Sequence, residues 1–505
     1  MSRKPFIPNS LKLCTAAQSR QMDSDTISNF GIDGFTLMEI AASRAASKIH
    51  RKIKNHKTGL YICGKGNNGG DALAVARYLV NEANHSVSIF MVMGNENLSP
   101  DTQKNYSLLK NMNSEGADIT FIDHLNDHPP SSFHYIVDGI FGTGLDGDIR
   151  SPINKIIDSI NQTSTPVFAM DIPSGLNADD GTIHGVCIKA DTTYTFGSNK
   201  IGFCLNNAID YTGQVSFIDL PFPDHIRQHE ALLINDSLIK HLPLQERNGK
   251  HKYDNGVVHI FAGSEGLTGA AMMASKSAWK QGAGAVLLYS PKKLLNLYEV
   301  SLPQIIKISL GDDESSHLKP EYSPKILEQL QAKEGVLLIG PGLGSEPETG
   351  KCLKQILETY NGSVILDADA LRFWDQFEAI SKSRKAKWII TPHIGEAKKY
   401  LKANFNGERD RINWTKEFTR QHHCSVLLKG NPCIVSTIDN GLYLTGYDTG
   451  MFARAGFGDV LAGTFSAKLA SSKSIDKAII HSLITGYKKY CASKPGTVFG
   501  PEHLT

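Results

Sequence analysis

Two groups of residues in this 505-residue chain combine types and spacing that could do chemistry. The later group lies in residues 448–463, DTGMFARAGFGDVLAG. Gly456, Gly458 and Asp459 stand where a glycine-containing loop passes into an apolar run that continues to Leu469. A helix starting here leaves its first backbone N–H groups unpaired and pointing beyond its end, which is a seat for phosphate. Glycine lets the backbone close on such an anion. A carboxylate placed against a phosphate is costly, so Asp459 needs a reason. One reason is a general base that takes a proton from a hydroxyl being phosphorylated. The other is a cap on a core helix that enters through Val460, Leu461 and Ala462. The stretch alone leaves both open.

The earlier group sits at the ends of short apolar runs in the first half. The run 60–63 ends in Gly64-Lys65-Gly66-Asn67-Asn68-Gly69-Gly70-Asp71. The run 135–137 ends in Asp138-Gly139, followed by Gly142-Thr143-Gly144-Leu145-Asp146-Gly147-Asp148. The run 167–170 ends in Asp171-Ile172-Pro173-Ser174-Gly175. Gly64, Gly66 and Gly69 match G-x-G-x-x-G, and so do Gly142, Gly144 and Gly147, but either match alone is weak. No acid stands clearly about 20 residues on to hold a ribose, since Glu96 lies late, so a plain dinucleotide dehydrogenase is disfavoured. Taken singly, each Asp reads as a turn or cap residue. Gathered on consecutive strand ends, Asn67, Asn68, Asp71, Asp138, Asp146, Asp148, Asp171 and Ser174 suit a hard cation with oxygen ligands and a hydroxyl-rich ligand. Asp171 closes a buried strand, and desolvation there would favour its proton-holding form.

These residues need a frame. Thr15 and Gln18 fit a capping box, so a helix is expected from Thr15. Another is expected over 36–52, with Leu37, Met38, Ile40, Ala41, Ala45 and Ile49 on its apolar face. Apolar runs at 60–63, 87–92, 119–122, 135–137, 167–170 and 192–196 read as strands, with helices at 72–80 and 152–160. Ser151-Pro152 reads as a cap followed by proline at the first helical position. Such βα alternation predicts a mainly parallel sheet covered on both faces, with ligands at the carboxyl ends of its strands. Two prolines in Pro221-Phe222-Pro223 end the pattern, and the polar stretch 245–255 leads into a new half. The expected domains are 1–220 and 248–505, joined by 221–247.

In the second half, strands at 257–261, 335–339, 363–366, 388–390, 425–428 and 434–437 alternate with chemical punctuation. The first leads to Gly269 and Ala270 at the start of an alanine-rich helix reaching about 281. The next end in Gly340-Pro341-Gly342-Leu343-Gly344, in Asp367-Ala368-Asp369, and in Thr391-Pro392-His393-Ile394-Gly395-Glu396. Lys429-Gly430-Asn431-Pro432-Cys433 separates the last two. No Walker A lysine and hydroxyl stand at the required spacing. Alone, His393 reads as a satisfied loop histidine and Lys429 as a solvated turn lysine.

In their order these motifs resemble a known family. GNNGGD, VDGIFGTGLDG and MDIPSGLNADDG resemble the NAD(P)HX epimerase domain of bifunctional NAD(P)H-hydrate repair enzymes, over about residues 11–220. The later series resembles the NAD(P)H-hydrate dehydratase domain fused to it, over about residues 248–469 in its motifs. The resemblance implies an α/β protein of two domains, a Rossmann-like three-layer sandwich and a ribokinase-like three-layer α/β/α domain. It implies epimerisation of R and S NADHX and NADPHX, and dehydration of the S form at the expense of ADP, giving AMP and phosphate. By the same resemblance Asn67, Asn68, Gly69, Gly70 and Asp71, with residues 142–148, hold the first substrate. Asp171 contacts it as acid or base, and Asn68, Asp138 and Ser174 bind potassium. Gly269, Ala270, Gly342, His393 and Asp459 would face the hydrate in the second domain. Lys429, Gly430, Asn431, Pro432, Cys433, Gly456 and Gly458 would bind the nucleotide, with Glu396 and Asp367 as weaker candidates for magnesium-linked positions, directly or through water. The family tends to form homo-oligomers.

Four positions depart from the family pattern: Ala72 and Cys433, where Gly and Thr are usual, and Arg454 and Phe457, where small residues are commoner. A competing reading is an ATP-dependent small-molecule kinase with an accessory N-terminal domain, but a kinase has no need of GNNGGD and DIPSG. A non-catalytic metabolite-binding protein fits poorly with an intact Asp459. The totals agree with a metabolic enzyme. Fifty-three basic and 51 acidic residues leave a net charge of +2, which argues against a dedicated nucleic-acid binder. Eight scattered cysteines without a C-x-x-C pair suggest neither zinc nor disulfides, and a reducing cytoplasm is expected. The N-terminus has no signal-peptide pattern, and no apolar run approaches the length of about 18 that spans a membrane.

Overall fold

The computed structural model describes residues 7–53, 57–244, 252–383, 387–439, 441–493 and 498–504. Residues 245–251 of the expected polar joining stretch lie outside these. The chain divides into two compact units, Ile7–Leu232 and Leu233–Thr505. No described helix is long and apolar enough to cross a membrane.

The first unit contains β1 (Lys12–Cys14), β2 (Thr58–Cys63), β3 (Ser86–Met91), β4 (Ile119–Ile122), β5 (Tyr135–Gly139), β6 (Val167–Met170), β7 (Thr192–Phe196), β8 (Asn199–Lys200) and β9 (Gln214–Ile218). Seven of these form a parallel sheet in the order β4-β3-β2-β5-β6-β7-β9. The chain leaves β2 in one direction for β3 and β4, then crosses to the other side for β5. The crevice outside the carboxyl ends of β2 and β5 is therefore the switch point where ligands bind. β5, β6 and β7 are buried throughout, as both-sided cover requires. Helices Gly34–Ile53 and Asn67–Ala83 pack one face through Ala41, Ala42, Ala45, Ala72 and Ala76. Ile157 and Ile160 of helix Ile153–Asn161 pack the other.

The capping box at Thr15 is present, with Gln18 N donating to Thr15 Oγ1 at 3.1 Å and Thr15 N to Gln18 Oε1 at 3.0 Å. Two local expectations change. The helix expected from residue 72 begins at Asn67, because the glycine-rich segment makes its first turn itself. Ser151 is not a cap. The helix begins at Ile153 after Pro152, which leaves Ser151 one residue too far upstream for its hydroxyl to reach the orphan N–H groups.

The division falls within β10 (Ala231–Ile234). The second unit has β11 (Val257–Phe261), β12 (Ala285–Pro291), β13 (Ile306–Leu310), β14 (Val336–Ile339), β15 (Ser363–Leu366), β16 (Trp388–Ile390), β17 (Ser425–Leu428), β18 (Ile434–Ser436) and β19 (Leu442–Thr445). Their order is β13-β12-β11-β14-β15-β16-β17-β18-β19, parallel as far as β17 and antiparallel beyond it. The switch point lies between β11 and β14. The carboxyl ends of β14, β15, β16 and β17 carry Gly340, Asp367, His393 and Lys429 side by side. Helices Thr268–Lys280 and Phe457–Ser472 pack so closely that a Cβ on Gly463 would stand 2.1 Å from the Ala274 carbonyl oxygen. β12, β13 and β19 were not expected. They carry no chemical punctuation at their ends.

Candidate active sites

At the first rim, glycine is required by closeness. A Cβ on Gly64 would meet the Ile140 carbonyl oxygen at 1.9 Å, so the loops after β2 and β5 touch backbone to backbone. This brings Asn68 to Phe141, whose carbonyl accepts from Asn68 Nδ2 at 2.9 Å. The other side-chain atom, Asn68 Oδ1, is buried and has no partner. Asp138 at the end of β5 is fully buried. It accepts from Ser174 N at 2.8 Å, Ser174 Oγ at 2.6 Å and Ile140 N at 3.2 Å. Burial still pushes its carboxyl up to about 6 against those bonds. Asn68 Nδ2 and Ser174 Oγ thus share the Phe141 carbonyl, and Ser174 also binds Asp138, beside the unsatisfied Asn68 Oδ1. Gly142 lies beside Asn68, whereas Asp146, Gly147 and Asp148 are exposed.

Asp171 follows β6 in the left-handed region, with φ +58°. Its surroundings are not the apolar end of a strand. Lys200 of β8, itself buried, forms an ion pair with Asp171 and also donates to Thr195 Oγ1 at 2.9 Å and Ser198 O at 3.1 Å. Phe196 N donates to the same carboxylate at 3.0 Å. Two further carboxyls press on this pair. Burial, and then Asp171, push Asp23 of helix Ala16–Phe30 up to about 6. Burial, Asp171 and Asp23 push Asp71 well above the carboxylate range. Three carboxyls sharing one ammonium cannot all ionise, so the cluster holds a proton beside a charged carboxylate. Neither Lys200 nor Asp23 was singled out from the sequence. The available signals were a lysine following a buried strand and an acid beside Met22 on the buried face of a helix.

In the second unit Asp367 closes β15, fully buried, and accepts from Lys429 Nζ and Thr391 Oγ1, each at 2.7 Å. Gly340 adopts φ +131°, and a Cβ there would stand 1.7 Å from the Asp367 carbonyl oxygen. Asp459 lies half-buried in the first turn of Phe457–Ser472. Burial, then repulsion from Asp367, push its carboxyl up to about 7, with Lys429 opposing. Burial works against the charge on Lys429, but Asp367, Glu396 and Asp459 outweigh it, and its pKa is raised. Burial raises Glu396 as well. Asp459 is thus more than a cap, since its helix opens at Gly456, in the left-handed region at φ +93°. His393 is the cap of its own helix. Its Nδ1 accepts from Gly395 N at 3.0 Å and Glu396 N at 3.2 Å, which places the ring proton on Nε2. Glu396 Oε2 returns the bond, accepting from His393 N at 2.8 Å.

A cavity of about 430 Å³ opens beside these groups, lined by Lys429, Gly430, Asn431, Cys433, Arg454 and Gly458 among others. A Cβ on Gly458 would stand only 3.6 Å from Lys429 Nζ. Buried Arg411, which the sequence reading missed, props this wall by donating to Pro432 O at 2.5 Å and Asn431 O at 3.1 Å. Gly269, Ala270 and Gly342 do not line the cavity. They gather at the ends of β11 and β14, where Gly269 is exposed and a Cβ on Gly342 would crowd the Leu267 carbonyl at 2.5 Å.

Residues 34–202 match the family model described as YjeF-related protein N-terminus, and residues 258–497 match that of NAD(P)H-hydrate dehydratase. A bifunctional NAD(P)H-hydrate repair enzyme from Moorella thermoacetica is 32% identical over 462 residues, covering 89% of this chain and 86% of its own. One from Dictyoglomus turgidum is 30% identical over 500 residues, covering 96% and 95%. The chain belongs to the family of bifunctional NAD(P)H-hydrate repair enzymes. An ADP/ATP-dependent NAD(P)H-hydrate dehydratase from Bacillus subtilis, co-crystallised with ATP and Mg²⁺, is 23% identical, with a TM-score of 0.43 over 52% of this chain and 90% of its own.

The departures from the repair-enzyme pattern have structural answers. Phe457 is buried, stacked on Phe499 at 5.8 Å and edge-on to Phe452, and it forms part of the cavity wall. Arg454 is exposed at the cavity, donating to Phe499 O at 3.3 Å. Cys433 is buried, and its N donates to Thr445 Oγ1 at 3.0 Å. Ala72 packs against Gly139 beneath β5 and does not line the pocket.

Proposed function

We propose that the protein repairs hydrated nicotinamide cofactors at two sites, epimerising R and S NAD(P)HX in the first unit and dehydrating S-NAD(P)HX in the second with ADP. The observation that carries the dehydratase reading is Asp459, a carboxyl that titrates near 7 in the first turn of a helix opening beside a cavity and Lys429. Asp459 takes the proton of the ring hydroxyl as that oxygen attacks the terminal phosphoryl group of ADP. The bond from phosphorus to the AMP oxygen breaks, and backbone N–H groups around Gly456–Gly458 hold the moving charge, with Lys429 close behind. The phosphate then leaves with the ring C–O electrons as the ring nitrogen pushes, and loss of the proton on the neighbouring ring carbon closes the double bond, giving NAD(P)H, AMP and phosphate. His393 Nε2–H and the open face at Gly269 and Gly342 receive the hydrate. Residues 429–433 and Arg454 receive the nucleotide. Magnesium, when bound, neutralises phosphate charge, and Glu396, whose Oε1 stands 3.4 Å from His393 Nε2, is the carboxylate that would hold it or its water.

In the first unit a carboxyl among Asp71, Asp23 and Asp171 gives its proton to the ring hydroxyl as water leaves with the ring nitrogen pushing, and the resulting carboxylate takes a proton back as water re-adds to the other face, with Lys200 fixing Asp171. Asn68 Oδ1, Asp138 and Ser174 fit potassium: they supply a buried charge and an unsatisfied acceptor. The ion, when bound, neutralises Asp138 and offers a coordination site to substrate oxygens. The eight cysteines are free, in keeping with a cytoplasmic location, and a homo-oligomer is the expected assembly.

Purified protein with ADP, magnesium and S-NADPHX should restore the absorbance of NADPH and release AMP. Failure in folded, nucleotide-binding protein would sink the dehydratase reading. ADP released from ATP with a stable phosphorylated product would instead indicate a kinase.

A further inference from the structure

The first unit carries another cavity, of about 220 Å³, lined by Lys48, Arg51, Lys52, Tyr194, Gln214 and Ser216. It lies away from the epimerase residues, which occupy the carboxyl ends of the strands. Gln214 is the first residue of β9, and Thr192, which binds Lys52, is the first of β7. Lys48, Arg51 and Lys52 share one face of helix Gly34–Ile53, spaced at i, i+3 and i+4. Lys48 Nζ donates to Ser216 Oγ at 2.8 Å and Phe217 O at 3.2 Å. Lys52 Nζ donates to Thr192 Oγ1 at 2.6 Å and Gln214 Oε1 at 3.0 Å. Arg51 Nε donates to Ser47 O at 3.1 Å. Every one of these acceptors is neutral.

Among the described residues no carboxylate pairs with any of the three cations. An ammonium has three donors and a guanidinium five, so several donors remain unspent. A helix C-terminus favours cations, and that alone would account for basic residues here. It does not account for Tyr194. This side chain is 1% exposed, lines the cavity, and its hydroxyl has no hydrogen-bond partner. Burial, and then Arg51, depress the pKa of Lys48, so the site holds charge with nothing to offset it.

We propose that this cavity binds a phosphate group, free or carried as a monoester, through Tyr194 Oη and the donors of Lys48, Arg51 and Lys52. Three cations more than offset a dianion, and several free donors suit tetrahedral oxygens. This reading does not depend on the proposed repair activity.

The test has two parts on the full-length protein. Crystals soaked in tungstate, as a stand-in for phosphate, should give an anomalous peak within hydrogen-bond distance of Tyr194 Oη. Calorimetric titration with inorganic phosphate should then show the matching binding event weakened about tenfold in Arg51→Gln and in Tyr194→Phe. Arg51 is exposed and Tyr194 gives up only an unpartnered hydroxyl, so both variants should melt as the parent does. Tighter binding of glycerol phosphate than of inorganic phosphate would identify a monoester as the ligand, and the reverse would identify the free ion. A tungstate peak confined to the Gly456–Gly458 loop, or phosphate binding untouched by both substitutions, would overturn the proposal.

Discussion

Lys429 Nζ lies 2.7 Å from Asp367 Oδ1, with the carboxylate fully buried and the lysine partly open to the cavity. The pair stands at the carboxyl ends of β15 and β17, on either side of β16, and both groups act electrostatically on Asp459. Removing one partner leaves the other charged and desolvated. Lys429→Met should therefore cost about 2–3 kcal/mol of stability, read by denaturant unfolding. It should also lower dehydration by about 10²-fold or more while sparing epimerisation. Unchanged dehydration would show that the lysine is only structural.

Asp459 predicts a pH profile. Its carboxyl is raised to about 7 and must be ionised to act as a base, so dehydration should fall about tenfold for each unit below 7. The linkage runs the other way. A raised carboxyl pKa contributes stability that is present below its unfolded value and lost as pH rises through about 7. Asp459→Asn should abolish dehydration, leave epimerisation intact, and raise thermal stability more at alkaline than at acid pH. Loss of both activities together would contradict two separate sites.

Lys200→Met removes the cation shared by Asp171, Asp71 and Asp23. Epimerisation, followed by the exchange of R and S forms on a chiral column, should fall by about 10²-fold or more, and ADP-dependent dehydration should persist. Arg at this position should restore part of the rate if the role is to orient Asp171. No response to either change would remove Lys200 from the site.

Arg411 acts through the loop it props. Arg411→Met should raise the KM for ADP about tenfold with little change in kcat, because the carbonyls of Asn431 and Pro432 lose their donors but Asp459 is untouched. A fall in kcat without a change in KM would place the residue in the chemistry instead.

Potassium should stabilise the first unit. Replacing choline chloride by potassium chloride at constant ionic strength should raise the melting temperature, and more at about pH 7.5 than at about pH 5, because Asp138 holds its proton below about 6. Asn68→Ala and Asp138→Asn should each remove the shift. An equal shift with sodium, or one independent of pH, would count against an ion on these oxygens.

Much of both sites was legible in the chain itself. Gly64, Gly69, Gly340 and Gly456 sit at strand ends or helix starts, so their places were legible, although what forbids a Cβ at Gly64 and Gly340 is the carbonyl of a residue far along the chain. Asp138, Asp171, Asp367 and Asp459 follow the same punctuation, so their placement on the rims came with the strand assignment. What each carboxylate touches was decided only by tertiary structure. Lys200 reaches Asp171 across 29 positions, Lys429 reaches Asp367 across 62, and Arg411 reaches Pro432 across 21. Those pairings follow from strand order and helix packing, which no local spacing encodes. The same holds for the ring of Phe457. The aromatic cluster of Phe452 and Phe499 turned it inward, because burying that apolar surface against partners far along the chain outweighs any local preference of the loop.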